Sequence, residues 1–253
     1  MSYANAAESD LFTEELNFRE SLITLSKAFE AKGFFVKPFR ERAWREFLSF
    51  PREKKKRIIR DFTRYYSIYM AVLLQPGSPN EDGKLLWAAV KNLGLRPCAD
   101  FFDQVDENDI VEFYAPSNLQ IFHNINFFEV CSYSFLEIFA YPFTELWTRD
   151  PDAFAALKQV AIDGFSGKFK STVDSRLPRH YLVEAFSDER YMAEVEFRKF
   201  SPLYDEKGDI AALAAISRGR VLSQEEYRQI LAELPYIPQP PPEKVVKVRF
   251  GIE

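Results

Sequence analysis

The sequence predicts an α+β protein in which an N-terminal helical domain packs on a C-terminal antiparallel sheet. Through about residue 100 the apolar residues recur at three- and four-residue intervals, the period of a helix with one buried face. From Asp109 onward short runs alternate apolar and polar residues, the period of a strand. At 253 residues the chain has room for two modest domains. The boundaries expected are 1–100 for the helical domain, 109–218 for the mixed region, and 219–253 for a C-terminal helix and tail.

The first helix is expected over residues 10–32, where Leu11, Leu16, Leu22, Ile23, Leu25 and Phe29 lie among charged positions and Gly33 offers a stop. A second begins near Phe39 and breaks at Pro51. A third restarts in "REKKKRIIRDFTRYYSIYMAVLL", with Ile58, Ile59, Phe62, Tyr66, Tyr69 and Leu73 as its buried stripe. Residues 75–83 read as a loop from their proline, glycine and Asx content, and "KLLWAAVKNLGL" as a short helix ending at Gly94.

"DIVEFYA" and "LQIF" then form a predicted hairpin around Pro-Ser-Asn. Two helix starts follow, Asn126 with Glu129 and Ser134 with Glu137, each pair spaced to cap the first free backbone N–H groups. Asp150 and Pro151 open a longer helix that Gly164 is expected to close, with Phe154, Leu157 and Val160 or Ala161 inward. "HYLVEAF", "YMAEVEFRKF" and "DIAALAAIS" are the last three predicted strands, the final pair joined by a turn at "SPLYDEKGD" with Gly208 left-handed. A helix over Ser223–Leu234, a proline-rich linker "PYIPQPPPEK" and a strand-like "VVKVRF" complete the chain.

Two strands, several short helices, one longer helix and three antiparallel strands is the element order of the PAS domain family, and local motifs agree. "VEFYAPSNLQIFHNINFFEVCSYSFLEI" resembles the opening of a PAS domain, with Tyr133, Ser134, Glu137 and Ile138 matching its "Y-S-x-x-E-[LI]" element. "FTELWTRDPDAF" resembles the approach to the long PAS helix. Ser201, Pro202, Leu203, Asp205, Glu206, Gly208 and Ile210 resemble the family's "S-P-[LI]-x-D-E-x-G-x-[IV]" turn. The resemblance covers about residues 109–218. Its glycine before the Tyr-Ser pair is Ser132 here, and "SRG" stands where Asp-Ile-Thr often closes the domain.

The resemblance implies a five-stranded antiparallel sheet with short helices on one face. It also implies a cavity, for which Phe127, Phe128, Cys131, Phe154, Leu157, Tyr181, Val183, Val195 and Phe197 are the candidate lining. The last strand would lie centrally, and along it Ala211, Leu213 and Ala215 share one face. That face is expected to be covered by the N-terminal helices or, failing those, by a second protomer.

Several chemistries are excluded or disfavoured by residue type. The chain has two histidines, His123 and His180, and the long helix holds neither, which argues against haem held from that helix. No Asn-Cys-Arg-Phe-Leu motif is present for flavin-adduct chemistry, and Cys98 and Cys131 are expected to be reduced core residues. No phosphate-binding glycine loop, zinc-protease motif or serine-hydrolase elbow is found, so no catalytic residue, metal ligand or cofactor is assigned. Net charge is −5, and the basic run Lys54, Lys55, Lys56, Arg57, Arg60 and Arg64 reads as a solvated helix face, not as a nucleic-acid site.

No membrane span or secretory leader is read, and a cytoplasmic location is expected. The function expected is that of a non-enzymatic signalling protein that senses a small-molecule ligand or associates with another protein, with homodimerisation implied by the resemblance. The alternatives are a structural adaptor with a filled scaffold whose tail, residues 235–242, docks a partner, and, ranked below it, a nucleic-acid-linked regulator using the basic helix 52–64.

Overall fold

The computed structural model describes residues 3–75, 83–187, 189 and 191–234, with side chains from residue 11. The helical half contains α1 (Tyr3–Glu30), α2 (Glu41–Ser49), α3 (Arg52–Leu73) and α4 (Lys84–Asn92). Their apolar stripes meet in an aromatic cluster, in which Phe18 touches Phe47 and Phe62 at ring distances of 5.1 and 5.3 Å. The stripe of α3 is rotated from the expected one. Tyr65, Ile68 and Val72 are buried beside Phe62 and Tyr69, whereas Ile59 and Tyr66 are half-buried.

The basic run at the start of α3 is tied into the fold. Lys54 lies 3.5 Å over the Phe50 ring and Lys55 pairs with Glu15 at 2.8 Å.

The sheet is built from β1 (Arg96–Pro97), β2 (Ile110–Tyr114), β3 (Gln120–His123), β4 (Trp147–Arg149), β5 (Val173–Asp174), β6 (His180–Glu184), β7 (Met192–Tyr204) and β8 (Ile210–Val221). The described strands therefore number eight where five are expected. Their order is β3-β2-β8-β7-β6-β4, with β1 and β5 added to β7, and every pairing is antiparallel. The extra strands are two or three residues long and arise where extended linkers run beside strands long enough to accept them. The last strand, β8, sits in the interior of the sheet between β2 and β7. "SPLY" belongs to β7, and the chain turns over Asp205–Asp209 with Gly208 at φ 86°.

Between the hairpin and β6 lie a 3-10 turn (Ile125–Glu129), α5 (Phe135–Ala140), α6 (Phe143–Leu146) and α7 (Pro151–Phe165). Ser134 and Glu137 form the capping box expected of them, and Asp150 caps α7 through the backbone N–H groups of Asp152 and Ala153. Asn126 is not a cap. Its side chain instead donates to the carbonyls of Glu107 and Asp109, and Asn124 opens the turn. Helix α8 (Gln224–Glu233) follows β8 with its own capping box at Ser223 and Glu226. The proline-rich linker and the strand-like "VVKVRF" lie outside the described residues.

The two faces of the sheet have different covers. Register pairs Phe113 with both Phe122 and Ala214, which places these residues on one face. There Phe122 meets Tyr65 and Tyr69 of α3, and Phe113 meets Phe101. One continuous core thus runs from the N-terminal helices into the sheet. On the other face Glu112 pairs with Ala215 and Tyr114 with Leu213.

The sequence reading puts the N-terminal helices over Leu213. The structure puts α7 there. A Cβ added at Gly164 would stand 2.5 Å from Leu213, so the glycine permits close helix–sheet approach. The helix continues past Gly164 to Phe165 for the same reason: the glycine serves packing, not termination.

Candidate functional site

Strand β2, "IVEFY", alternates strictly. Val111 and Phe113 enter the shared apolar core, and Glu112 and Tyr114 point to the face beneath α6 and α7. Glu112 is 4% exposed, so a carboxylate stands where a strand normally presents either an apolar residue or a solvated one. The Tyr114 hydroxyl donates to Glu112 Oε1 at 2.8 Å, and Gln120 Nε2 of β3 donates to the same oxygen. Burial, only partly offset by these two donors and by nearby Arg149, pushes Glu112 up to about 7.

Arg149 comes from β4, four strands along the sheet from β2. In a flat sheet, four spacings of ~4.8 Å would separate them by about 19 Å. Yet the charge of Arg149 acts on both Glu112 and Tyr114. Phe143 of α6 contacts Tyr114 at 5.5 Å and carries the Arg149 guanidinium 4.4 Å above its ring. The sheet therefore curls, and this face is concave. Burial pulls Arg149 down to about 10, opposed by Tyr114 and Glu112.

Three buried polar atoms of this cluster, Arg149 Nη2, Trp147 Nε1 and Gln120 Oε1, have no hydrogen-bond partner among the described residues, nor has His180 Nε2 on the same face one strand from Arg149. Trp147 and Arg149 alternate on β4 with Thr148, so both side chains belong to the same face, and both pack near Phe143. Neither Arg149 nor Glu112 has an ion-pair partner within 4.0 Å among the described residues. Buried polar groups in folded proteins are nearly always satisfied. The cluster thus offers two donors, one acceptor and a buried carboxylate around an aromatic ring.

The residues expected to line a cavity do not form one group. Phe127 and Phe128 surround His123, with ring distances of 4.6 and 5.1 Å. His123 is fully buried, with Nε2 2.9 Å from the Tyr65 hydroxyl, and burial pulls it down to about 3, so it is neutral. Tyr69 donates to its backbone carbonyl, capping the edge of the sheet. Cys131 is buried, and burial pushes its thiol up, away from nucleophilic character.

Val195 and Phe197 lie on the concave face; Phe197 stacks on His180 and Phe200. Tyr181 and Val183 lie on the opposite face, beneath α8 with Tyr227 and Ile230. Leu157 is half-buried against the core, and Phe154 is 42% exposed, so Phe154 lines no cavity. Ala211 is half-buried and Ala215 buried on the strand that carries Leu213.

Sequence reasoning missed Glu112, Tyr114, Gln120, Trp147 and Arg149. The available signal was the lone acidic residue in "IVEFY", a strand whose other face is wholly apolar. Among the described residues no helix is long and apolar enough to cross a membrane, and no group of three His, Cys, Asp or Glu side chains could hold a metal ion.

No family model matches the chain, and no curated protein matches it. Among solved structures, a sensory box sensor histidine kinase from Vibrio cholerae is similar, at 13% identity and TM-score 0.31, over 49% of this chain and 90% of that one. A domain of a putative light and redox sensing histidine kinase from Haloarcula marismortui is similar at 11% identity and TM-score 0.31, over 49% and 96%. The light-state structure of the blue-light photoreceptor Aureochrome1 LOV is similar at 14% identity and TM-score 0.32, over 53% and 96%. Likenesses at this level carry no argument about function. The element order of residues 110–221 and the interior position of β8 agree with the arrangement that the sequence resemblance implies.

Proposed function

We propose that this chain is a signalling protein that senses a small molecule on the concave face of its PAS-like sheet and passes the event to another protein. The observation that supports this reading is the buried cluster around Glu112 and Arg149, in which three polar atoms await partners. A scaffold with no ligand role would gain stability from apolar residues at these positions, because isolated buried polar groups cost about 1–3 kcal/mol each.

Occupancy of the concave face would act on α6 and α7, whose residues Phe143 and Gly164 touch it, and would change how those helices pack. The exposed Phe154 and Ile162 of α7 then offer a surface a partner could read. In this reading the chain is cytoplasmic, carries no catalytic step of its own, and works alone or as a homodimer.

The test is native mass spectrometry of gently purified protein, together with thermal-shift measurements against a small-molecule library. A bound adduct, or a compound that raises the melting temperature and loses its effect in Arg149→Gln, supports sensing. Empty protein and no stabilising compound would sink it. The adaptor reading rests on the tail at residues 235–242, outside the described residues, and no observation in the structure favours it.

A further inference from the structure

The buried cluster also indicates what kind of molecule it would take, and this step rests on the sensing role just proposed. Water can satisfy a lone donor or acceptor. It cannot neutralise a charge. Here a guanidinium and a carboxylate are both buried on one concave face. Each feels the other's charge, yet neither has an ion-pair partner within 4.0 Å among the described residues. Burying an ion costs several kcal/mol unless it is closely paired.

His180 Nε2, an acceptor because Nδ1 faces the Pro178 carbonyl, is also unpartnered on this face, and the other three atoms sort by chemistry. Arg149 Nη2 and Trp147 Nε1 are donors, both from β4 and both packed near Phe143. Gln120 Oε1 is an acceptor on the β2–β3 side. Gln120 turns Nε2 toward the Glu112 carboxyl, the orientation an ionised Glu112 requires, which leaves Oε1 as the open atom. Glu112 uses Oε1 for both Tyr114 and Gln120, and no hydrogen bond among the described residues reaches its Oε2. The β4 side therefore asks for an anion, and the β2–β3 side asks for a cationic N–H donor.

We propose that the concave face binds a small zwitterion, with its carboxylate on Arg149 Nη2 and Trp147 Nε1 and its ammonium on Glu112 and Gln120 Oε1. A molecule of the α-amino-acid type carries both charges in one small unit and so can answer the donor side and the carboxylate together. Binding completes four open valences at once and pairs both buried charges. Arg149 has the planar donor geometry that suits a carboxylate, and an ammonium beside Glu112 holds that residue ionised where burial alone opposes it.

The experiment is a thermal-shift and calorimetric comparison of the full chain with L-alanine, L-leucine, propanoate, propylammonium and 1-propanol. The expected result is stabilisation by at least one amino acid, with the singly charged probes weaker. Trp147→Phe keeps the ring and removes the donor, and it should weaken amino-acid binding by about 10-fold; Arg149→Gln should weaken it by about 10- to 100-fold. Glu112→Gln should erase the preference for amino acid over propanoate.

Binding of propanoate as tight as that of either amino acid, unchanged by Glu112→Gln, overturns the zwitterion assignment. Binding of 1-propanol alone overturns it too, and leaves the sensing role standing. Should Arg149→Gln fail to fold, Trp147→Phe decides: undiminished amino-acid affinity in that variant overturns the assignment. Failure of all five probes beside a native adduct of other chemistry overturns only this class. Failure of all probes with empty protein overturns sensing as well.

Discussion

Asp109 and Glu112 stand three residues apart at and just inside the start of one strand; both are buried, and their surroundings are opposite. Asp109 accepts from Arg198 Nη1 at 2.5 and 2.6 Å, from Arg218 Nε at 2.9 Å, and from the backbone N–H of Asp106 at 2.8 Å. Its charge is matched from β7 and β8 at once, and Arg198 is held above its ordinary range, first by its hydrogen bond to Asp109. Glu112 has only neutral donors, and Arg149 stays beyond pairing distance. A paired buried carboxylate ties strands together; an unpaired one stores a demand for a counter-charge. The pair thus separates an ion closed by its counter-charges from one left without a close counter-charge among the described residues.

Breaking the paired member should have the larger effect. Asp109→Ala removes the acceptor for two arginines and one backbone N–H, and it should lower unfolding free energy by about 3 kcal/mol in urea titrations at pH 7. The figure is below the extreme for buried ion pairs because Arg218 is half exposed and can turn to water. A loss under about 1 kcal/mol would show that the clasp is incidental.

The unpaired member should behave in the reverse sense. Glu112 has a folded-state pKa of about 7 against an ordinary 4.5, so between these values the folded state binds more protons than the unfolded one. Stability is then full below about pH 4.5, declines as pH rises, and is lowest above pH 7. Glu112→Gln abolishes that decline, since Gln can still accept from Tyr114 and Gln120. The variant should exceed the parent by about 2 kcal/mol at pH 8 and match it near pH 4.5. A parent whose stability is flat over this window, or a variant less stable at pH 8, would remove the contrast.

How much of this was visible in the chain follows the range of the forces involved. Local chemistry was legible: the Ser134–Glu137 cap, the helix starting at Ser223, the Asp150–Pro151 helix start, the Gly208 turn and the two-faced apolar β8 all depend on residues close in sequence. Tertiary choices were not. Gly164 reads as a helix stop until Leu213 is seen beneath it. Phe154 reads as core because it is apolar, yet α7 turns it to solvent. β4 is three residues caught between two helices and carries no strand period of its own. Glu112 reads as a solvated strand position because only the curl of the sheet, which brings β4 opposite β2, shows that its face is closed.

Redundancy on the paired side gives the next smaller effect. Arg218→Ala leaves Asp109 with Arg198 and the Asp106 N–H, and the lost side chain is half exposed, so the cost should be about 1 kcal/mol. Arg198→Ala should cost more, because that side chain is the more buried of the two. An inverted ranking would mean that solvent exposure does not set the strength of the clasp.

The smallest effect concerns how Glu112 is held. The Tyr114 hydroxyl donates to the carboxylate and so favours its charged form; removing it leaves Gln120 as the only hydrogen-bond donor to Oε1 among the described residues. Tyr114→Phe should therefore move Glu112 further upward by about half a pH unit, which corresponds to about 0.7 kcal/mol of stability at pH 8. The shift is read as an upward displacement of the pH range over which stability is lost. The control is the same substitution in Glu112→Gln, where no titration remains to be displaced. If Tyr114→Phe lowers stability equally at all pH values in both backgrounds, its hydroxyl is a packing element and the carboxylate is held by Gln120 alone. If the displacement appears only when Glu112 is present, the tyrosine sets the charge state of Glu112. In that case neighbours separate Asp109, just ahead of β2, from Glu112 within it: arginines pair with the first, and a phenol with an amide leaves the charge of the second free to change.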